Sequence, residues 1–364
     1  MRKILIPFLL ISSLILFILS LYYSGTAESI TTSDVNNFII YKIKSGINYL
    51  FNKHVFDTYL SEKDRFKFEL LEQYRFPPTI GAIFVGIILS ASGLMLQTLF
   101  RNLLASPYTT GISSGVLLIA VLVIFNDSLS KLMISLFGGK YLVVAGWIGG
   151  IISMLMLLII AYRVRESNGV LIVALLLTYF FSGIRAFYIS QAEDIKVHEY
   201  YGYVIGNLKK ITLNDLPIMA ICTIIFLIAL IFLVKPLNAL LFGERYAKSF
   251  GLDIKKIRIL ILLTTCFAVG SIIPFVGLMA FVGIVSPYLA RIIIKTSDHK
   301  YLLPTTMLLG VNLLLFCHIL TVKYASFLNI KYAPPLPIGS LLDIIGGLLV
   351  IYLIFKEEKK IVIQ

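Results

Sequence analysis

The sequence predicts an all-α polytopic membrane protein with ten transmembrane helices in one domain over residues 1–364, and three observations predict it. Hydrophobic residues make up 59% of the chain and its mean hydropathy is +0.93, against roughly 45–50% apolar usage in an average soluble domain. Asp, Glu, Lys and Arg contribute only 14%, about half the usual share. So little polar material cannot coat a water-soluble surface, which excludes a globular enzyme, a disordered tail and a nucleic-acid-binding protein. Apolar runs also recur at lengths near the ~20 residues a helix needs to cross hydrocarbon, where every backbone group must be paired internally.

The first run, Ile4 to Tyr23, follows the basic pair Arg2-Lys3. It is longer than the ~7–15 residues of a signal-peptide core, and its flank lacks a small-residue cleavage site, so it is expected to stay attached as a span. Residues 26–74 then form a long extracytoplasmic excursion, in which Lys42, Lys44, Lys53, Lys63, Arg65 and Lys67 mix with Asp57, Glu62, Asp64, Glu69 and Glu72. Within it, Phe66-x-Phe68-x-x-Leu71 has helical spacing and reads as an amphipathic surface helix or a small packed cap. Further runs are Phe76 to Thr98, Thr110 to Phe125, Tyr141 to Ala161, Asn168 to Ile189, Asn214 to Val234, Tyr301 to Val322, and Ile338 to Phe355, which carries Asp343. Between Ile259 and Ala290 lie 32 uncharged residues, too many for one helix. Pro274 removes a backbone donor and restricts its predecessor, so the chain is expected to reverse within Ser271 to Gly277, making ten spans.

Charge sets the orientation. With Arg2 and Lys3 inside, the inner segments collect 17 basic residues and the outer ones 15, of which seven fall in the first long excursion. Long translocated segments follow the positive-inside rule poorly, so the informative comparison is 17 against 8. It places both termini, and the loop 235–258, in the cytoplasm of a multi-pass cell-membrane protein. The net charge of +13 is then directed at phospholipid headgroups rather than nucleic acid.

Chemistry is sparse. No channel filter loop or arginine-laden voltage-sensor span occurs, and the spans are almost bare of the acidic groups a proton- or sodium-coupled carrier retains. Asp343 is the nearest case; it reads either as a transport group or as an interfacial residue capping neighbouring backbone. No Gly-x-x-x-x-Gly-Lys-Ser/Thr loop cradles a phosphate, and Gly138-Gly139-Lys140 lacks the spacing, so the chain is expected not to be an enzyme and to hydrolyse no nucleotide itself. Cys222, Cys266 and Cys317 sit in apolar runs without disulfide or zinc spacing. His54, His198, His299 and His318 are scattered, and His299 reads as a polar loop residue; no catalytic or metal-ligating constellation is expected.

What remains is mechanical. Gly81, Gly86 and Gly93 with Ser90, Ala91 and Ser92 give the second span a small-residue face, as Gly146, Gly149 and Gly150 do for the fourth, allowing close helix approach. Gln97, near the inner end of a span and followed by Arg101-Asn102, must find partners or water. The stretch 235–258 reads as two short helices, Pro236 to Leu241 and Glu244 to Phe250, separated by Gly243 and ended by Gly251. Glu244 and Lys248 have the spacing of a helical ion pair. The stretch is either a linker lying on lipid or a contact for a cytosolic partner.

These residues resemble a known family. The first block runs from Tyr74-Arg75-Phe76-Pro77-Pro78-Thr79 through Gly86, Gly93 and Gln97-Thr98-Leu99-Phe100-Arg101-Asn102-Leu103-Leu104-Ala105-Ser106-Pro107 to Thr110-Gly111-Ile112-Ser113-Ser114-Gly115. The second is Leu241-Phe242-Gly243-Glu244-Arg245-Tyr246-Ala247-Lys248-Ser249-Phe250-Gly251. The third runs from Gly277 through Gly283 and Ser286-Pro287-Tyr288-Leu289-Ala290-Arg291 to Pro304, and the fourth is Pro335-Leu336-Pro337-Ile338-Gly339. In this order they are similar to the permease subunits of ATP-binding-cassette importers for iron-siderophore complexes, haem and vitamin B12, the FecCD and BtuC-like type. Leu103 stands where that family has proline, Phe76-Pro77-Pro78 where it has Leu-Pro-Arg, Tyr288 where histidine is common, and Asp343 where the last span is apolar.

The resemblance implies the BtuC-like type II fold and a second permease copy in a homodimer, with a pathway along the subunit axis. It also implies an extracytoplasmic substrate-binding protein and two cytosolic ATPase subunits that bind ATP and Mg, leaving this chain without a cofactor. By carry-over, Leu241, Gly243, Glu244, Ala247, Lys248 and Gly251 couple to the ATPase. Gln97, Arg101, Asn102, Ala105 and Pro107 form an inner loop and gate, and Gly86, Gly93, Gly277, Gly283, Pro287 and Arg291 line or pack the pathway. Binding-protein docking is assigned to the loops holding Glu193, Asp194, Lys196, Glu199, Lys323 and Lys331, which read equally as solvated loop charges.

Overall fold

The computed structural model describes residues 2–23, 30–51, 61–163, 167–327 and 336–361. The helices in chain order are α1 (Arg2–Tyr23), α2 (Thr32–Phe51), α3 (Glu62–Leu70), α4 (Phe76–Phe100), α5 (Ile112–Phe125), α6 (Asp127–Phe137), α7 (Tyr141–Arg163) and α8 (Ser167–Ser190). They continue with α9 (Asp194–Val204), α10 (Leu216–Leu241), α11 (Glu244–Ser249), α12 (Ile254–Val276), α13 (Val282–Ile294), α14 (His299–Phe327) and α15 (Ile338–Ile361). One π turn, Leu71–Arg75, joins α3 to α4 without a break. Seven of these segments are long and apolar enough to cross a membrane, and α5, α13 and the Ile338–Tyr352 part of α15 are shorter apolar helices. Together they coincide with the ten runs expected from hydropathy.

The short helices explain the loops beside them. The 14 residues of α5 and the 13 of α13 rise only about 20 Å each, two-thirds of a ~30 Å hydrocarbon layer. Irregular backbone must complete those crossings, which membranes tolerate only inside protein. Residues 105–111 and 277–281 meet that demand. Ala105, Ser106, Pro107 and Thr110 are buried, the Thr110 hydroxyl donates to Ser106 O at 2.8 Å, and Ser113 N donates to Pro107 O at 3.1 Å. Leu278 N donates to Val204 O at 2.9 Å, and Asn207 N to Val276 O at 2.8 Å.

The reversal expected within Ser271 to Gly277 lies later. Helix α12 runs through Ser271 and Pro274 to Val276, and the turn occupies Gly277 to Phe281. Pro274 costs the helix one hydrogen bond, but α7 supports it: a Cβ at Gly146 would lie 2.4 Å from Gly270 O and 3.1 Å from Pro274 Cγ. The residue that ends the helix is Gly277, whose φ of 73° only glycine adopts cheaply.

At the centre, α4 packs against α10, α12, α13 and α14. Its small face works through backbone approach. A Cβ on Gly93 would stand 1.9 Å from Gly283 O of α13, and one on Gly86 2.7 Å from Val311 N of α14. Lipid supplies no hydrophobic drive between helices, so such contacts hold the bundle by van der Waals packing.

Part of the segment 26–74 forms a packed cap; 26–29 and 52–60 lie outside the described residues. Val35 and Phe38 of α2, Phe68 of α3 and Leu71 bury against Leu21 of α1, with the Phe38 and Phe68 rings edge to face at 5.6 Å. The Arg75 guanidinium donates to Leu21 O and Tyr22 O, closing the end of α1. Lys67 Nζ pairs with Asp34 at 2.8 Å. Burial pushes the Asp34 carboxyl up, but the Lys67 and Thr31 hydrogen bonds outweigh it and hold its pKa at about 2. The unfolded segment therefore takes up this proton first as pH falls. Protection of the cap against hydrogen exchange should be full above about pH 4 and lost as the pH drops through about 2, and Asp34→Asn should remove that dependence.

Candidate functional site

The C-terminal ends of α4, α10 and α13 and the start of α14 meet at one end of the bundle, here called the Gly243 end, and polar side chains tie them together. Gln97 is buried in the last turn of α4. Its Nε2 donates to Leu103 O at 2.7 Å and to Gly283 O at 3.4 Å, and its Oε1 accepts from Arg291 Nη1 of α13. One amide thus joins the 101–111 loop to the α4–α13 crossing, where Gly283 also sits against Pro107. Asn102 Oδ1 accepts from Leu104 N, shaping the same loop. Pro287, inside α13, is buried one turn before Arg291.

His299 is not a loop residue. It opens α14 with no exposed surface, its Nε2 2.9 Å from the Thr98 hydroxyl of α4 and its backbone N donating to Asn238 Oδ1 of α10 at 2.8 Å. The Lys300 amide and, after it, Asn238 Nδ2 donate to Asp298 and hold its carboxyl below the usual range. His299 thus joins three helices, α4 through Thr98, α10 through Asn238 and its own α14. Asn238→Leu would strand the buried backbone N–H of His299 and remove a partner of Asp298, and should lower stability by about 2–3 kcal/mol, read as a lower thermal midpoint with no change in membrane insertion.

Beyond Asn238 the first short helix expected at Pro236 to Leu241 is simply the end of α10. Gly243, at φ 105°, turns the chain into α11. Ala247 is buried beneath that helix, Gly251 closes it at φ 78°, and Asp253 caps α12 by accepting from Lys255 N and Lys256 N. Glu244 does not pair with Lys248. Its Oε1 accepts from Arg258 Nη2 at 2.6 Å, bracing α11 on α12, because the chain folds back within reach of a stronger bidentate-capable donor. A groove of about 530 Å³ remains between the two helices, lined by Glu244, Lys248, Leu252 and Lys255 among others.

Two features went unread in the sequence. Phe242, Tyr246 and Phe250 are 71%, 64% and 69% exposed, three large aromatics on a nine-residue protrusion. Their i, i+4, i+8 spacing carried that signal. Arg101 adopts φ 52°, and its Nη2 donates to Leu241 O at 3.1 Å, directly beside Gly243. The end of α4 is therefore fastened to the root of the protrusion. No spacing foretold that contact across 140 residues.

At the opposite, Glu193 end, α9 begins at Asp194, and Glu193, Asp194 and Ile195 are exposed. Lys196 pairs with Asp127 of α6 at 2.8 Å, so it braces two surface helices. Lys323 stands 4.6 Å over the Tyr23 ring of α1. The side chain of Glu199 is not described, and Lys331 and Pro335 lie outside the described residues. Helix α6 fills the stretch between two apolar runs, and Asn126 caps it by accepting from Leu129 N. Among the described residues no group of three His, Cys, Asp or Glu gathers to hold a metal. What the geometry can do is transmit: a push on the α11 protrusion reaches α4 through Arg101 and α12 through Arg258.

Comparison with known proteins identifies the family and the fold. The model of the FecCD transport family matches residues 35–356. An ABC transporter permease protein of Methanocaldococcus jannaschii is 56% identical over 361 residues, 98% of this chain and 97% of its own length. The vitamin B12 import system permease BtuC of Vibrio vulnificus is 27% identical, over 85% of this chain and 90% of its own. The Fe(3+)-citrate import system permease YfmE of Bacillus subtilis is 28% identical, over 88% and 92%. Among solved structures, an inward-facing metal-chelate type ABC transporter superposes with a TM-score of 0.74 at 20% identity, covering 98% of this chain and all of that one.

Proposed function

The chain belongs to the FecCD transport family and is a membrane-spanning permease of the ATP-binding-cassette kind, and we propose that it passes a bulky metal chelate, with an iron-siderophore complex as the favoured cargo, from an extracytoplasmic binding protein into the cytoplasm. The α11 protrusion carries this reading. A nine-residue protrusion presenting three exposed aromatics, Tyr246 on α11 and Phe242 and Phe250 at its two ends, and braced by Arg101 and Arg258 is built as a contact for another protein rather than as a linker. In this reading residues 235–258 and both termini lie in the cytoplasm, and each of two ATPase subunits, holding ATP and Mg, takes one protrusion. The partner permease is a second copy of the chain. Closure of the ATPases favours one arrangement of the bundle over the other through the contacts at α11, and the passage changes the side to which it opens.

The Glu193 end is then extracytoplasmic and receives the binding protein, with Glu193 and Asp194 as exposed contacts. Relatives named for vitamin B12, for iron citrate and for haem iron match this chain at similar identity, so haem or cobalamin are the alternative cargoes by the same mechanism. The permease itself needs no tight site, because strong contacts would retain what must be released.

The test is uptake of radio-iron from a siderophore-loaded binding protein into proteoliposomes holding the permease with or without its ATPase. Uptake should require ATP and the ATPase together. Uptake driven by a proton or sodium gradient in the permease alone would overturn the reading.

A further inference from the structure

Asp343 is the one acidic residue in the apolar parts of the ten helices. Between Pro337 and Lys356 lie 18 residues, about 27 Å of helix, less than the ~30 Å of hydrocarbon they must cross. Ile338 therefore begins near one boundary, and Asp343, five residues on, lies about 7 Å below it.

The rotation of α15 is fixed by its packed side. Gly339 N donates to Gly206 O at 3.0 Å, Leu342 is buried, and a Cβ on Gly346 would stand 2.3 Å from Phe281 Cβ. Asp343 sits at the edge of the opposite side and is exposed, with Ser340, Ile344, Leu348 and Ile351. No described residue pairs with its carboxylate. A carboxylate at this depth is expensive against lipid and is retained where it meets water or a partner.

In the importer reading the passage runs between two copies of the chain; we propose that this side of α15 faces it, and that the paired Asp343 carboxylates make its mouth admit cargo bearing positive charge, such as an amine-bearing chelate, in preference to anionic chelates. The proposal rests on the importer reading above and adds the charge class of the cargo. Two like charges at the mouth of a water-filled passage with low-dielectric walls create a negative potential that raises the local concentration of cations and lowers that of anions. Such a field acts at a distance and leaves no strong contact to hinder release.

Cysteines at positions 340 and 347 report on it. A Cβ at Gly347 meets only Phe281 Cζ at 3.9 Å, so Gly347→Cys fits one turn below Asp343, and Ser340→Cys sits about one turn above it, toward the mouth. The native Cys222, Cys266 and Cys317 are buried. In proteoliposomes, each variant is treated with the cationic trimethylammonium-ethyl and the anionic sulfonato-ethyl methanethiosulfonate, and the ratio of the two rates is measured with Asp343 and with Asp343→Asn. We expect modification at both positions and a cation-to-anion rate ratio that falls about tenfold on Asp343→Asn. No modification at either position, as for a lipid-facing helix, overturns the proposal, and so does a ratio unchanged by Asp343→Asn. Neither arm uses ATP or cargo: a permease that fails here yet takes up chelate with ATP keeps the importer reading and loses this one.

Discussion

Replacing Tyr246 and Phe250 together by serine is expected to cut ATP-driven uptake more than tenfold while leaving the permease folded. Both side chains are about two-thirds exposed, so the free permease loses little packing with them. Buried in a partner's cleft, each would remove on the order of 100 Å² of apolar surface from water, worth about 2–3 kcal/mol. Losing both weakens the contact by roughly 4 kcal/mol, a factor near 10³ in affinity. Such losses are not strictly additive, but a tenfold fall survives any reasonable discount. Pull-down of the ATPase should fail in step with uptake, the thermal midpoint of the isolated permease should not move, and Tyr246→Phe should retain activity. If α11 were a lipid anchor instead, ATPase affinity would be unchanged in the double variant, and the proposed coupling role would be abandoned.

What the sequence discloses follows from which forces are local. The ten apolar helices are legible because hydrophobic length is a property of a run, and Gly243 and Gly251 mark the limits of α11 because positive φ is a property of one residue. The cap was legible as one of two alternatives, since Phe68 and Leu71 share a helical face whether they meet lipid or protein; Phe38 decides it, and Phe38 is 30 residues away. Tertiary pairing defeats such reading. His299 sits in a polar pentad, Thr296 to Lys300, that looks like a loop, and only the arrival of Thr98 and Asn238 makes it an interior group. Glu244 has a suitable partner at i+4 and takes a different one because α12 folds back beside it. Pro274 looks like a breakpoint, and α7 props it. Helix α6 escaped notice because an amphipathic stretch between two spans is judged by length alone, although Asn126 before Asp127 is a serviceable helix start.

Gly93→Val should prevent assembly of the bundle or cost it at least about 3 kcal/mol. The Cβ alone would lie 1.9 Å from Gly283 O and 2.5 Å from Gly283 Cα, and both are backbone atoms that no rotamer change can withdraw. Relief requires α4 and α13 to separate by more than ~1 Å, which breaks the close approach that stands in for hydrophobic drive between lipid-bathed helices. The displacement would not stay local. Gln97 lies one turn further along α4 and holds Arg291 of the same α13, while Gly283 packs on Pro107, so the 101–111 loop and the Arg101 fastening to Leu241 would shift as well. Gly93→Val should therefore lower the yield of monodisperse protein in detergent, and whatever folds should lose ATP-coupled uptake. Gly202→Ala in α9, where a Cβ meets nothing within 4 Å, serves as the control and should behave as the parent protein. A Gly93→Val permease with the parent's thermal midpoint and uptake would mean that the crossing of α4 and α13 is not the contact on which the bundle depends.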